Sequence, residues 1–260
     1  MNVIDTVLFL IFISALLLIK ILYVSLVVSD GAIDRIQNPR YTLQMTEGVL
    51  LMSCVLGLLL VHYFQFDFIV ADFLYKKTQW ASQDTFIVNI LLHKITRVFL
   101  IALMVILGIK LFRLKKEKES QQATYDLFIL MLTVLLSVGI VSLLKRMTEV
   151  DCPWDLLMYG GSKPFYSLFN YPAEALPSAH CFPASHASVG FSWVAAYFYF
   201  LVQNNRLKTK VLVTALLLGC IFAAIQQLRG AHFISHDISS LLICLLTSVI
   251  VYSLAYRSKT

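Results

Sequence analysis

Two short stretches of the sequence hold histidines in an arrangement that could do chemistry. The stretch "HCFPASHASVGF" (180–191) places His180 and His186 on either side of a Phe-Pro pair. The stretch "QQLRGAHFISHDISS" (226–240) fills the gap between two apolar runs and contains Arg229, His232, His236 and Asp237. An imidazole titrates near neutral pH, so it can attack an electrophile, carry protons or bind a metal. These residue types therefore favour group transfer with acid–base assistance, or a metal site.

The composition indicates which elements must position these residues. Hydrophobic residues make up 59% of the chain and charged residues 14%, which is the balance of a membrane protein. The net charge is +6, and basic loops beside an anionic lipid leaflet account for it, so no nucleic-acid partner is expected. The sequence predicts an all-α fold, a polytopic transmembrane helical bundle whose first partner is the lipid bilayer.

Nearly charge-free stretches predict six core helices, because most of them approach the ~20 residues needed to cross a bilayer. The six stretches are 46–64, 98–112, 127–144, 187–203, 211–228 and 238–256. A further apolar stretch, 7–28, contains Lys20 and is interpreted as an extra N-terminal anchor helix, with an interfacial helix as the alternative. The chain then divides into an N-terminal helix with a cytosolic linker, 1–45, and a membrane domain, 46–260.

Basic residues predict the orientation of the spans, since short cytoplasmic loops collect Lys and Arg. Three basic stretches fall on one side when the spans are threaded in order: "RLKKEKES" (113–120), "NNRLKTK" (204–210) and "YRSKT" (256–260). We assign that side to the cytosol. The histidine-bearing stretches then lie on the outer side, together with residues 65–85, which resemble a short amphipathic segment on the outer surface.

Threading also brings three ionisable residues to the same outer boundary. Lys145 ends one span, His186 begins the next, and His232 lies between the last two. Ionisable groups at membrane depth are costly, so their convergence from separate segments predicts a functional site.

Three motifs in this region resemble those of the type 2 phosphatidic acid phosphatase superfamily, in its integral membrane lipid phosphatase branch. They are "KRMTEVDCP" (145–153), "PASH" (183–186) and "IQQLRGAHFISHD" (225–237). The family forms are Lys, six residues, Arg-Pro; Pro-Ser-Gly-His; and Ser-Arg, three residues, Gly, one residue, His, three residues, Asp. The order, spacing and topology agree over about residues 46–256.

The chain departs from the family motifs at several positions while keeping both central histidines. Residues that replace a family residue are Cys152 for Arg, Ala184 for Ser, Ser185 for Gly and Gln226 for Arg. Asp237 follows His232 by five residues instead of four, and His236 stands at the fourth position. The site is therefore expected to contain fewer phosphate-binding side chains than the family site.

The resemblance implies a membrane phosphatase that hydrolyses a lipid phosphate or lipid pyrophosphate through a phosphohistidine. The catalytic residues would be His232 as nucleophile, Asp237 holding its other ring nitrogen, and His186 as proton donor and then general base. Phosphate oxygens would be bound by Lys145, Arg229 and Ser185. We further expect a bacterial inner membrane, with the active site facing the periplasm on the side opposite the basic loops. The expected substrate is a lipid with a phosphorylated headgroup, and neither a metal nor another cofactor is expected.

The cysteines allow a further prediction. Cys152 and Cys181 fall in the outer loops, whereas the remaining cysteines lie within spans. In an oxidising periplasm these two could form a disulfide, with two free thiols as the alternative.

Three other functions remain open at the level of sequence. One is a lipid-linked phosphotransferase, which would use the same residues with an acceptor other than water. A membrane metalloenzyme would draw its ligands from His180, Cys181, His186, His232 and His236, although the chain lacks a His-Glu-x-x-His signature. A transporter or non-catalytic scaffold is the third, and its site would be expected near the bilayer midplane.

Overall fold

The computed structural model describes residues 39–80, 93–117, 120–166 and 179–256, and the described part of the chain is all-α without a β-strand. The predicted N-terminal helix at 7–28 lies outside the described residues. The helices are α1 (Pro39–Tyr63), α2 (Phe66–Thr78), α3 (His93–Lys116), α4 (Gln121–Met147), α5 (Ser185–Phe191), α6 (Ala195–Val202), α7 (Lys208–Leu228) and α8 (Ile234–Tyr256). The described residues up to Gly57 form the first part of α1, and the compact unit Leu58–Thr260 contains the remaining elements.

Each of the six predicted core stretches coincides with helix, which confirms the predicted fold class. Among the described residues, three helices are long and apolar enough to cross a membrane, namely α4, α7 and α8. A fourth span results if Leu51–Tyr63 and Phe66–Thr78, which meet at 65°, form one broken span. The predicted stretch 187–203 is divided between α5 and α6 by the 3-10 turn Ser192–Val194.

Small residues allow α5 to lie deep in the bundle. A Cβ atom on Gly190 would collide with the backbone of Gly219 in α7, so the two helices can approach this closely only because both positions are glycine. α5 also packs on α8, where the Cys244 thiol lies against the Ser188 carbonyl. The short helix that carries His186 is therefore fixed by two long neighbours.

Hydroxyl side chains inside the long helices donate to carbonyls of their own helix. Thr133 Oγ1 donates to the Ile129 carbonyl at 2.6 Å, and Ser137 Oγ donates to the Thr133 carbonyl at 2.8 Å. In an apolar surrounding each unsatisfied polar group costs several kcal/mol, so these bonds let polar residues occupy the core of α4.

A polar cluster joins α4 and α8 at the end of the bundle opposite the histidines. The buried Asp126 carboxylate accepts from the Tyr256 hydroxyl at 2.6 Å and from Gln122 Nε2 at 2.5 Å. The Tyr125 hydroxyl donates to the Ala255 carbonyl at 3.1 Å. These bonds link the first two turns of α4 to the last turn of α8 and help fix the alignment of the two helices.

At the other end, α2 packs on the loops that surround His232. The Tyr159 hydroxyl donates to Asp72 at 2.7 Å, and the Ser235 N–H donates to Asp67 at 2.9 Å. Gly230 has φ +74°, and a Cβ atom there would lie 2.6 Å from the Trp80 ring. Only glycine adopts this backbone without strain and leaves space for the indole. The segment predicted to lie on the outer surface is thus part of the packed unit.

Candidate active site

Three separate segments bring a lysine and three histidines together at one end of the bundle. Lys145 lies in the last turn of α4, His186 in the first turn of α5, and His232 in the turn between α7 and α8. The charges that act on His232 are those of Lys145, His236 and His186. The residues that the sequence analysis placed at one boundary are therefore neighbours in the folded chain.

Backbone hydrogen bonds connect the segments that carry these residues. The Ala184 N–H donates to the His236 carbonyl at 3.3 Å, and Ser240 Oγ donates to the Ala184 carbonyl at 3.0 Å. Trp154, the residue after the first motif, is tied to the third motif because its N–H donates to the Gly230 carbonyl at 3.0 Å. The three motifs therefore form one connected unit and can hold side chains in fixed relative positions.

Cys152 and Cys181 are joined as a disulfide in this unit. Their Cα atoms are 5.2 Å apart, within the range that a disulfide requires. The Cys181 N–H also donates to the Val150 carbonyl at 2.9 Å, and the backbone of Cys181 interacts with the rings of His232 and His236. The cross-link thus holds a backbone group against two histidines of the site.

His232 is held in the form that a nucleophile needs. The residue is only 4% exposed. Burial lowers the pKa of His232 well below its ordinary value, because the charged imidazole loses its hydration, and the nearby Lys145 charge lowers it further. A neutral imidazole has a lone pair available for attack. Its Nδ1 atom is buried and has no hydrogen-bond partner among the described residues.

Asp237 does not make the predicted contact with His232 in this structure. Its Oδ2 accepts from Gln227 Nε2 at 2.7 Å, and its carboxylate interacts with the charges of Lys145 and Asp67. The fifth position after His232 is turned about 100° around the helix from the fourth, which is the family position for aspartate. His236 occupies that fourth position, and its ring centre lies 5.8 Å from that of His232.

Arg229 is buried, and its side chain contacts Gln226 and Trp154. It is 6% exposed, and its Nη1 donates to Gln226 Oε1 at 3.0 Å. Its guanidinium carbon lies 5.6 Å from the centre of the Trp154 ring, within the range of a cation–π interaction. Gln226, which replaces the family arginine, thus serves as an acceptor for Arg229. This burial does not fit a side chain that reaches out to lipid headgroups.

The remaining predicted residues and the possible metal ligands are placed as follows. Ser185 is the first residue of α5 and is half-buried. The histidine and cysteine residues of the metalloenzyme alternative, all in the described range 179–256, do not bring three ligand atoms within 4.8 Å of one another. The described chain does gather Cys152, Asp155 and Cys181 this closely, but the two sulfurs are bonded to each other.

Sequence analysis missed three residues that surround the site. Gln227 contacts Asp237, Trp154 faces Arg229, and Asp67 accepts from Ser235 at the start of α8. Asp67 gave a weak signal, as an acid within the apolar outer segment. The contacts of Gln227 and Trp154 depend on how the loops fold, and no spacing in the sequence marks them.

The fold and the site together define a helical membrane protein with a lysine and a cluster of histidines at one end of its bundle. Within this class, the sequence pattern of the PAP2 superfamily matches residues 126–259, which contain all three motifs. The chain belongs to the PAP2 superfamily, and family membership indicates a phosphatase, in general terms a phosphoric ester hydrolase. No curated protein and no solved structure matched the chain.

Proposed function

We propose that this protein is a membrane phosphatase that hydrolyses a lipid phosphate or lipid pyrophosphate through a phosphohistidine, at the periplasmic face of a bacterial inner membrane. The observation that carries the proposal is the meeting of Lys145, His186 and His232 from three segments, with His232 neutral and buried. Membership of the PAP2 superfamily supports phosphoric ester hydrolysis in general.

The proposed reaction has two steps that restore the enzyme. In the first, a ring nitrogen of His232 attacks phosphorus, the bond from phosphorus to the leaving oxygen breaks, and His186 gives its proton to that oxygen. In the second, His186 takes a proton from water, the water oxygen attacks phosphorus, and the N–P bond breaks. Inorganic phosphate leaves, and His232 is neutral again.

The cations in the proposed site would offset the negative charge of the phosphoryl group. Phosphoryl transfer depends mainly on in-line positioning and on positive charge around the equatorial oxygens. Lys145 supplies such a charge beside His232. Arg229 and Ser185 complete the phosphate-binding set by resemblance, and Arg229 would have to exchange its Gln226 partner for a phosphate oxygen.

A lipid substrate is supported by the position of Lys145 on its helix. Leu143 is 58% exposed and Met147 is 71% exposed, and both lie within two residues of Lys145. On a helix that can cross a membrane, exposed apolar side chains at this level are expected to face acyl chains. Lys145 lies on the opposite face of the helix, since residues two apart do not share a face, but at the same depth. A lipid phosphate at the bilayer surface would therefore be level with Lys145 while its chains stay in the membrane.

A substrate panel tests this proposal. The purified protein would be assayed for phosphate release from phosphatidic acid, phosphatidylglycerol phosphate, undecaprenyl pyrophosphate and a lipid A phosphate, with His232→Ala as control. We expect release from at least one of them, unaffected by chelators. Loss of activity on chelation would support the metalloenzyme, and transfer to an alcohol in preference to water would support the phosphotransferase. Absence of phosphate release from every lipid in the panel would favour a transporter or scaffold over an enzyme.

A further inference from the structure

A small cleft lies between α2 and the turn that carries His232. Its polar lining residues are Asp67, Gln227 and His232, and apolar residues of α2 such as Val70 and Leu74 line the other side. The cleft has room for about one water molecule. Residues of α2 lie outside the range 126–259 that the family pattern matches.

Asp67 is fixed at the edge of this cleft by the start of α8. Its Oδ1 accepts from the Ser235 N–H at 2.9 Å, and it also interacts with the Ser235 side chain and the Ile234 backbone. Ser235 follows His232 by three residues. A carboxylate is favoured at a helix N-terminus, where backbone N–H groups lack partners. Asp67 is therefore held at the edge of the cleft that His232 also lines, by contacts that do not involve the nucleophile itself.

The proposed chemistry creates a need that Asp237 does not meet. When a neutral imidazole bonds to phosphorus, the ring becomes cationic, and a buried cation is costly unless an acceptor faces its remaining N–H. The Cys181 backbone acts on the His232 ring, but Nδ1 itself is buried without a hydrogen-bond partner among the described residues, and Asp237 Oδ2 is occupied by Gln227. Asp67 is the carboxylate that lines the same cleft as His232.

We propose that Asp67 is the positioning residue for the nucleophile: across the cleft, it holds His232 as the Nδ1–H tautomer and stabilises the ring when it becomes phosphorylated. This inference rests on the proposed role of His232. One water molecule that accepts from Nδ1–H and donates to Asp67 completes the link, because a bridging water is nearly as favourable as a direct hydrogen bond. Asp67 thus takes the task that the resemblance assigned to Asp237.

The first test removes the charge of Asp67 and keeps its shape. In Asp67→Asn the side-chain oxygen can still accept from the Ser235 N–H, so α2 and α8 stay joined. The matched control is Asp72→Asn on the same helix, whose carboxylate accepts from the Tyr159 hydroxyl at 2.7 Å. We expect Asp67→Asn to lower kcat at least ~10-fold with KM within about twofold, and Asp72→Asn to change neither by more than about twofold. Equal losses in both variants would assign Asp67 a structural role only.

The second test does not depend on catalysis. Nitrogen-15 NMR of histidine-labelled protein reports which ring nitrogen carries the proton, and His232→Gln assigns the His232 signals. We expect the Nδ1–H tautomer in the wild type and in Asp72→Asn, and mixed tautomers in Asp67→Asn. The variant Val70→Leu fills the cleft and keeps the carboxylates of Asp67 and Asp72. It should also give mixed tautomers, and it replaces Asp67→Asn in this test if that variant does not fold.

The two tests separate this inference from the proposed function. An unchanged His232 tautomer in the folded Asp67→Asn variant, or in Val70→Leu, would overturn the role of Asp67 whatever the activity. A tautomer that depends on Asp67 in a protein that releases phosphate from no ester would retain the role of Asp67 and refute the phosphatase proposal.

Discussion

At the scale of single residues, His232 and His186 have different surroundings that suit different tasks. His232 is almost fully buried, whereas His186 is half-buried at the start of α5. A buried neutral imidazole is a good nucleophile, and a partly exposed one can exchange protons with water. The division of work between the two histidines therefore follows from their positions.

Single and double histidine variants should show strongly non-additive losses. Groups that act in one reaction sequence fail together when either is removed. We expect His232→Ala, His186→Ala and the double variant each to lower turnover by comparable factors, on the order of 1000-fold or more. Steady-state phosphate release measures this. Near-normal hydrolysis by His232→Ala would exclude the mechanism.

The burial of His232 predicts the acid side of the pH profile. Its pKa is lowered well below the ordinary value, so the reactive neutral form is kept as the pH falls and is lost only below the usual histidine range of about 6.5. We expect kcat/KM, corrected for titration of the substrate phosphate, to decline only well below pH ~6.5. A decline centred at or above that value would show that His232 is not held neutral by its surroundings.

Arg229 should not be replaceable by lysine. A planar guanidinium can bind a phosphoryl group through two parallel hydrogen bonds, and an ammonium group cannot. We expect Arg229→Lys to fold and insert normally but to lose at least ~10-fold in activity, about 1.4 kcal/mol of transition-state stabilisation. Arg146→Lys, at an exposed position on the same side, is the control and should stay within about twofold. Full activity of Arg229→Lys would remove Arg229 from the phosphate-binding set.

At the scale of elements, the disulfide joins Cys152 of the first motif to Cys181, two residues before the second motif. It closes a loop with a sequence separation of 29 residues, and cross-links of this kind typically stabilise a fold by about 2–4 kcal/mol. The bond also places the Cys181 backbone beside His232 and His236. By the motif resemblance, Cys152 stands at the position of an arginine, so this chain would have a covalent link in place of a cation.

The state of the cysteines can be read by mass spectrometry. In denatured, non-reduced protein we expect alkylation at Cys54, Cys220 and Cys244, with Cys152 and Cys181 modified only after reduction. The three free cysteines serve as the internal control for complete alkylation. Alkylation of Cys152 and Cys181 before reduction would show that both thiols are free and the disulfide is absent.

At the scale of the whole molecule, the sequence predicted the helical bundle and the meeting of Lys145, His186 and His232. The length of the apolar stretches and the positive charge of the loops indicate the spans and their orientation directly. It did not predict the partner of Asp237 or the position of Asp67. A shift of one residue turns a helical side chain by about 100°, and only packing decides what it then meets. The break between α5 and α6 was missed because no proline or charged residue marks it in the sequence.

The most direct test of the whole account is to trap the intermediate. The protein would be mixed with a lipid phosphate labelled with phosphorus-32, quenched in alkali, where phosphohistidine survives, and digested for mass spectrometry. We predict label on His232 in the wild type, none in His232→Ala, and little in His186→Ala, because the leaving oxygen then lacks its proton donor and the intermediate forms slowly. Label on any other residue, or catalytic turnover in His232→Ala, would contradict the account.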